Sequence, residues 1–368
     1  MNDSIKKSKP RCLMIGAGGM AHHWLHQAWA PFRDRMEFAA LVDVNPATLD
    51  AAGDFLELPA SRRFNSAAAA FEQVEADFCC IVSPPQFHRE AVELACAAGM
   101  NILSEKPIAD TWEACCAIYR AVQQAGVKMM VTQNYRYEPR ILTLKQAINE
   151  LGTINYVVAR YATDWRVRNS HYIRTALHPL LTDCAIHHFD QIRNLSGANC
   201  QTISGYEWNP GSVRSGHDQI SRAAQFSGAD AFDGGACALF VMQMQGGSFV
   251  QYEGSNIASA STNTWHHEYY RVECEDGAAV LDRDDIVRIE TRGTNGALQV
   301  REVPPEKPAW EGHQAITQQF LNWLDGGPAP ATILQDNLQS NAIMFAAIQA
   351  SEQGTAVDVQ QLMQAAMS

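Results

Sequence analysis

The chain has 368 residues, 46% of them hydrophobic and 18% charged, with a net charge of −12. That length exceeds what one core usually organises, so two domains are expected, and the composition is that of a folded chain. The negative balance argues against a bulk nucleic-acid binder or a partner of anionic membranes, and no apolar run approaches the roughly 18 residues of a spanning helix.

Lys6, Lys7 and Lys9 precede "RCLMIGAGGM", whose three glycines break any signal-peptide core, so the protein is expected to stay in the cytoplasm. Ten cysteines could suggest disulfides. Most, including Cys79, Cys80, Cys96, Cys115 and Cys116, sit in apolar patterns, and no C-x-x-C pair occurs. Reduced, buried thiols are the expectation.

The first third alternates strand and helix patterns. Candidate strands at Arg11–Ile15, Phe38–Val42, Phe78–Ser83, Asn101–Ser104 and Lys128–Gln133 are nearly continuous apolar runs, as in strands covered on both faces. Asn45 and Pro46 open one intervening helix; Gly99 and Gly126 close two others. This alternation predicts a doubly wound parallel sheet over residues 1–136.

The first strand runs into "CLMIGAGGMAHHWL", a G-x-G-x-x-A turn at Gly16, Gly18 and Ala21 with Gly19 and Met20 inside it. Gly16 permits the tight turn, Gly18 lets backbone approach a pyrophosphate, and the small Ala21 allows close helix–strand packing. Asp43 ends the second strand, where a carboxylate accepts from ribose hydroxyls and repels a 2′-phosphate. A Rossmann-type site for NAD, with NADP less favoured, is the expectation; Arg62 and Arg63 are the residues that could argue for NADP. Further along, "NILSEKPIAD" places Lys106 between Glu105 and Pro107, just past a strand's carboxyl end, where open parallel sheets bind ligands.

After Arg136 the pattern changes, and residues 137–368 are expected to form a substrate-binding and oligomerisation domain. A helix from Pro139 to Leu151 ends at Gly152. Longer strand-like runs follow at 153–163, 201–208, 236–244, 248–256, 268–274, 278–282, 285–291 and 297–303. "QGG" and "DG" links make neighbours antiparallel. Helices near 312–325 and 333–352 finish the chain. The expected architecture is α+β: a large, mainly antiparallel open sheet with helices on one face. Its other face needs water, substrate or a partner, which predicts a homodimer or homotetramer.

"LLTDCAIHHFDQI" spaces Asp183, His187 and Asp190 on one face of a helix, opposite Ala185, Phe189 and Ile192. Alone, this pattern fits a solvated surface, a metal site or acid–base machinery. His22, His23 and His26 read as ordinary helix histidines, His266 and His267 point to opposite faces of a strand, and no metal site is expected. The segment "DWRVRNSHYIR" carries Arg166, Arg168 and Arg174 with Trp165, His171 and Tyr172; arginines pair with carboxylates and aromatic faces stack on sugars, or the arginines bridge domains.

With the glycine turn, "IVSPPQFHREAVELACAAGMNILSEKP", "VTQNYRYEP", the Asp183/His187/Asp190 helix and "AIQASEQGTAVDV", the chain resembles the glucose–fructose oxidoreductase/inositol dehydrogenase (Gfo/Idh/MocA) family over nearly its full length. The resemblance implies a Rossmann domain joined to an antiparallel substrate domain. It also implies a catalytic set of Lys106, Asp183 and His187, and a nicotinamide end lined by Ser83, Pro84, His88, Glu105 and Gln133. Cys184-Ala185 stands where the family commonly has a glycine. The residues then suit hydride transfer at a hydroxyl of a sugar, polyol, inositol or uronic-acid-like substrate. His187 would be the base, Lys106 the donor to the substrate oxygen, Asp183 an orienting group and Asp190 a structural ligand. Substrate contacts would come from Lys106, Trp165, Arg166, His171, Tyr172, Asp183 and His187. A glycoside hydrolase that recycles NAD and a non-catalytic nucleotide sensor are the alternatives on this fold.

Overall fold

A computed structural model describes residues 9–165, 176–209, 234–258 and 268–367. Arg166, Arg168, His171, Tyr172, Arg174, His266, His267 and most of the loop-like stretch 209–235 lie outside the described residues. Two compact units divide the chain: residues 1–137 with 310–338, and residues 138–309 with 339–366.

In the first unit, β1 (Arg11–Ile15), β2 (Glu37–Val42), β3 (Arg63–Phe64), β4 (Phe78–Ile81), β5 (Asn101–Ser104) and β6 (Met129–Val131) form one sheet in the order β3-β2-β1-β4-β5-β6. Every pairing is parallel. The apolar runs are explained: Cys12, Leu13, Met14 and all four residues of β4 are fully buried, because helices cover both faces. β3 has only two residues and no readable pattern. Asn45 caps the helix Pro46–Phe55 by accepting from the Ala47 N–H at 3.0 Å, and Gly126 ends Trp112–Ala125 in the left-handed conformation. Strand order reverses between β1 and β4, which leaves a crevice at their carboxyl ends.

The expected single cut after residue 136 differs from this division. The helix Gly312–Leu324 returns to the first unit because its Ile316, Phe320 and Leu321 complete the core around Trp24, Trp29, Phe32 and Phe78. Polar ties support it: Lys128 Nζ donates to the Trp323 carbonyl at 2.6 Å, and Arg35 pairs with Asp325 at 2.9 Å.

The second unit holds β7 (Ile154–Ala162), β8 (Cys200–Trp208), β9 (Cys237–Met244), β10 (Phe249–Ser255), β11 (Glu268–Cys274), β12 (Ala278–Leu281), β13 (Val287–Arg292), β14 (Leu298–Glu302) and β15 (Val357–Asp358). Their order is β14-β13-β12-β11-β7-β10-β9-β8-β15. Neighbours are antiparallel except β10 beside β7. The meander β8–β9–β10 brings its third strand back along β7 in the same direction. Gly246 and Gly247, at φ +97° and +99°, make the turn that "QGG" predicts.

Along β9, Ala238, Phe240, Met242 and Met244 are buried while Leu239 and Val241 are half exposed. The outer face is therefore apolar too: Tyr206, Trp208, Phe249 and Tyr156 lie exposed beside them. All ten cysteines are free thiols. Among the described residues no helix is long and apolar enough to cross a membrane.

Candidate active site

The glycine turn leaves β1 at the strand-order reversal. Gly16 has φ +101°, and a Cβ there would lie 2.8 Å from the Val82 carbonyl carbon and oxygen, so only glycine lets this turn press against the loop after β4. Gly18 is the N-cap of the helix Gly19–His23, which widens into a π-helix over Trp24–Ala28, and no side chain caps that start. A Cβ at Gly18 or Gly19 would meet nothing within 4 Å, and Met20 is exposed, so the helix start faces open space. Ala21 is buried against the sheet, the close packing its size predicts.

Asp43 anchors this turn. Its Oδ2 accepts from the Ala17 N–H at 2.7 Å and its Oδ1 from the Asn45 N–H at 2.8 Å. Each carboxylate oxygen keeps further acceptor capacity. Arg63 is committed elsewhere, to Asp54 at 2.6 Å and to the Leu58 carbonyl at 2.7 Å. Ser83 lies half-buried after β4, with a buried Oγ that meets no hydrogen-bond partner among the described residues; Pro84 follows it on the surface. The open helix start, the braced turn and this orphaned hydroxyl fit a dinucleotide along the crevice.

Lys106 is half-buried just past β5, before a cis peptide bond to Pro107. Glu105 is buried beside it. Trp24 Nε1 donates to Glu105 Oε1 at 2.7 Å, the Lys106 N–H donates to Oε2 at 3.1 Å, and His313 Nε2 lies 3.6 Å from Oε1. Burial alone raises this carboxyl, but His313, Lys106 and Trp24 together hold it below its ordinary value. His88 is fully buried and turns both ring nitrogens to backbone, with Nε2 2.8 Å from the Ser83 carbonyl and Nδ1 3.1 Å from that of Pro107. Burial lowers its pKa. His88 thus ties the loop after β4 to the loop of Lys106. Gln133 is buried just past β6.

In the second unit the expected helix starts as a π-helix, Leu180–Ala185, and becomes α from Ile186 to Ser196. A period of 3.6 does not foresee that wider turn. Asp183 sits in it half-buried and His187 follows in the α portion, 5% exposed. The solvated-surface reading fails here, because His187, His188, Asp190 and Gln191 are all buried. Ser340 Oγ donates to Asp190 Oδ1 at 2.8 Å, and a neighbouring basic group, Arg193, lies 3.8 Å away. Cys184, 2% exposed, lies with its Sγ 3.3 Å from the Tyr161 hydroxyl, so the place of the family's glycine is filled by packed side chains. Trp165 is 1% exposed, and its backbone N–H donates to the Asn256 carbonyl at 2.8 Å.

Sequence reading missed the groups that support this helix. His188 pairs its Nδ1 with the Tyr252 hydroxyl at 2.9 Å, and burial, then the Arg140 charge, lowers it to about 3. Glu268, buried 3.8 Å from His188 Nε2, is pushed up to about 7 by burial against the opposing charge of Arg140. The Arg140 guanidinium is 3.1 Å from Glu268, yet neither carboxylate oxygen receives an aligned hydrogen bond among the described residues. His178, just before the π-helix, binds Glu207 at 2.6 Å, and that bond raises the imidazole pKa. A cue existed only for His188, as the second half of "HH". Lys106 belongs to the first unit and Asp183 with His187 to the second.

Comparison with known proteins separates an N-terminal from a C-terminal part of the chain. A family model described as an oxidoreductase family with an NAD-binding Rossmann fold matches residues 10–133, and the model of the C-terminal alpha/beta domain matches residues 145–359. Uncharacterized protein y4oX of Sinorhizobium fredii is 36% identical over 96% of this chain and 97% of its own. D-apiose dehydrogenase of Paraburkholderia graminis is 26% identical over 95% of this chain and 89% of its own. A crystal structure of an oxidoreductase from Agrobacterium radiobacter with NAD+, L-tartaric acid and magnesium has a TM-score of 0.80 at 22% identity, covering 96% of this chain and all of that one (100%).

Proposed function

Because the chain belongs to the Gfo/Idh/MocA family of oxidoreductases, we propose that it is an NAD-dependent dehydrogenase or reductase of a sugar, polyol, inositol or uronic-acid-like substrate. The observation that carries this reading is Lys106, held beside a buried, ionised Glu105 at the same sheet edge as the open glycine turn. D-apiose dehydrogenase as a relative supports the carbohydrate class.

NAD, when bound, supplies the hydride acceptor. The chain's own residues supply the rest. Gly18 and Gly19 let backbone approach the pyrophosphate, and Asp43 accepts from the ribose hydroxyls. Ser83 offers its unsatisfied hydroxyl and Gln133 its amide at the nicotinamide end. Lys106 donates to the substrate oxygen and stabilises charge there. His187 takes the hydroxyl proton on its imidazole, and Asp183 orients substrate hydroxyls. Commitment of Arg63 to Asp54 and Leu58 supports NAD over NADP.

The same reading includes a cytoplasmic homo-oligomer paired through the outer sheet face, where Tyr206, Trp208, Leu239, Val241 and Phe249 are exposed. Light scattering at micromolar concentration is expected to give a dimer or tetramer mass; a strict monomer counts against it. The deciding experiment is a panel of sugars, polyols and uronates assayed for NAD reduction, with stoichiometric NADH the expected result. Glycoside cleavage with no net NADH moves the protein to the cofactor-recycling hydrolases. NAD binding without turnover of any compound makes it a sensor.

A further inference from the structure

Behind Glu105 lies a chain of side chains that the reaction scheme does not use. His23 Nε2 is 3.2 Å from His313 Nδ1, and His313 Nε2 is 3.6 Å from Glu105 Oε1. Trp24 donates to that same oxygen at 2.7 Å, and the His313 ring stands edge-on to both Trp24 and His23. Glu105's other oxygen takes the Lys106 N–H.

We propose that His313 and Trp24 are positioning residues that aim the Glu105 carboxylate, and through it the Lys106 ammonium, with His23 fixing the tautomer of His313. This rests on the reading of Lys106 as catalytic. Burial and the neighbouring imidazole lower the pKa of His23, which favours its neutral ring; with the proton on Nε2, that ring donates to His313 Nδ1 across 3.2 Å. The remaining proton of a neutral His313 then sits on Nε2, the atom that faces Glu105. Trp24 and His313 together occupy one carboxylate oxygen, and the rotation that remains to Glu105 would break its bond to Lys106 N–H. Glu105 is 7% exposed, so water does not replace a lost donor freely. The helix Gly312–Leu324 carries His313, which gives its return to the first unit a functional consequence.

The test uses the full chain and two readouts. In His313→Phe, kcat on a substrate found by the panel is expected to fall about tenfold to a hundredfold, the scale of a misplaced reacting group, with KM and NAD affinity nearly unchanged and the melting temperature lowered. In the same variant without cofactor, acetylation of Lys106 at fixed mildly alkaline pH, followed by peptide mass, is expected to quicken about threefold or more, because an ammonium that loses a fixed carboxylate titrates lower. His313→Gln keeps a donor at that place and is expected to restore both values most of the way. His23→Phe should shift both in the same direction by less, and it decides the matter if His313→Phe does not fold. Unchanged kcat and labelling rate in these variants, against an inactive Lys106→Ala, overturn the positioning role alone. Parental turnover in Lys106→Ala overturns the catalytic reading beneath it.

Discussion

Glu105 in the first unit and Glu268 in the second are both buried carboxylates beside a basic side chain, yet they are held on opposite sides of the ordinary range. Burial pushes both upward. At Glu105 it is outweighed by the hydrogen bond and charge of His313, then by the charge of Lys106 and by the Trp24 N–H at 2.7 Å. At Glu268 a full guanidinium charge lies 3.1 Å away without alignment, while Asp285 and Glu138 add to the upward push. At Glu105 hydrogen bonds and neighbouring charge together outweigh burial, whereas at Glu268 burial outweighs the guanidinium. Each lies near a proposed catalytic group: Glu105 precedes Lys106 in the chain, and Glu268 is 3.8 Å from His188, the neighbour of His187.

The largest effect is expected at Arg140. Arg140→Ala leaves Glu268 buried without its cation and should cost about 3–5 kcal/mol at pH 8, measured by urea unfolding. At pH 5, where Glu268 is protonated, the loss should be much smaller. Equal losses at the two pH values would break the comparison, since they would mean that ionisation of Glu268 does not matter.

Next in size are the catalytic candidates themselves. Lys106→Ala and His187→Ala are each expected to lower turnover about a hundredfold or more, roughly 2.7 kcal/mol in the barrier, with NAD affinity and melting temperature close to the parent's. A large fall in melting temperature for His187→Ala would instead assign that residue to the same structural network as His188.

Titration sharpens the contrast through its sign. Glu268 has a folded pKa raised from 4.5 to about 7, so its protonated form favours the fold and stability falls as pH rises through that window. Glu105 is lowered, so its contribution is present above the ordinary carboxylate value and is lost as pH falls through the depressed one. Relative to the parent, Glu268→Gln should gain on the order of 2 kcal/mol between pH 5 and 8, whereas Glu105→Gln should be most harmful at neutral pH and less so toward pH 3. Melting temperatures across that range separate the two; parallel profiles would sink the account.

Asp43 gives the smallest expected effect, at a half-buried carboxylate that also serves backbone N–H groups. NAD should bind about tenfold tighter than NADP, roughly 1.4 kcal/mol, because a 2′-phosphate would meet that charge. Calorimetry on the parent and on Asp43→Asn checks it, the variant being expected to narrow the ratio. Equal affinities in the parent would remove Asp43 from the cofactor reading.

Much of the architecture was legible because it depends on short spacings. The parallel strands declared themselves as apolar runs, and all eight antiparallel-type runs from 153–163 to 297–303 became strands. β3 and β15, two residues each, carry too little pattern to register. The π turn at Leu180–Ala185 escaped notice because nothing in "LLTDCA" distinguishes a five-residue hydrogen-bond step from a four-residue one. The sequence pattern does not separate His22, His23 and His26, yet only His23 reaches His313, since His22 and His26 stack on each other one turn apart.

By itself the sequence determined the two sheet types, the glycine turn with Asp43 at the next strand end, and the place of Lys106 past a buried strand. These follow from residue period and local backbone permission, which neighbours in the chain settle among themselves. Only the tertiary structure decided that the helix Gly312–Leu324 completes the first core, that His188 is lowered to about 3, and that Glu105 is held below the ordinary carboxylate range while Glu268 is raised to about 7. Those outcomes depend on burial and on the contacts of distant segments, such as the Trp24 N–H with Glu105 across 81 residues and the rings of His23 and His313 across 290. A pattern of residue types specifies which groups prefer water or apolar surroundings, but the direction of a hydrogen bond exists only once the segments that bear its two ends have packed.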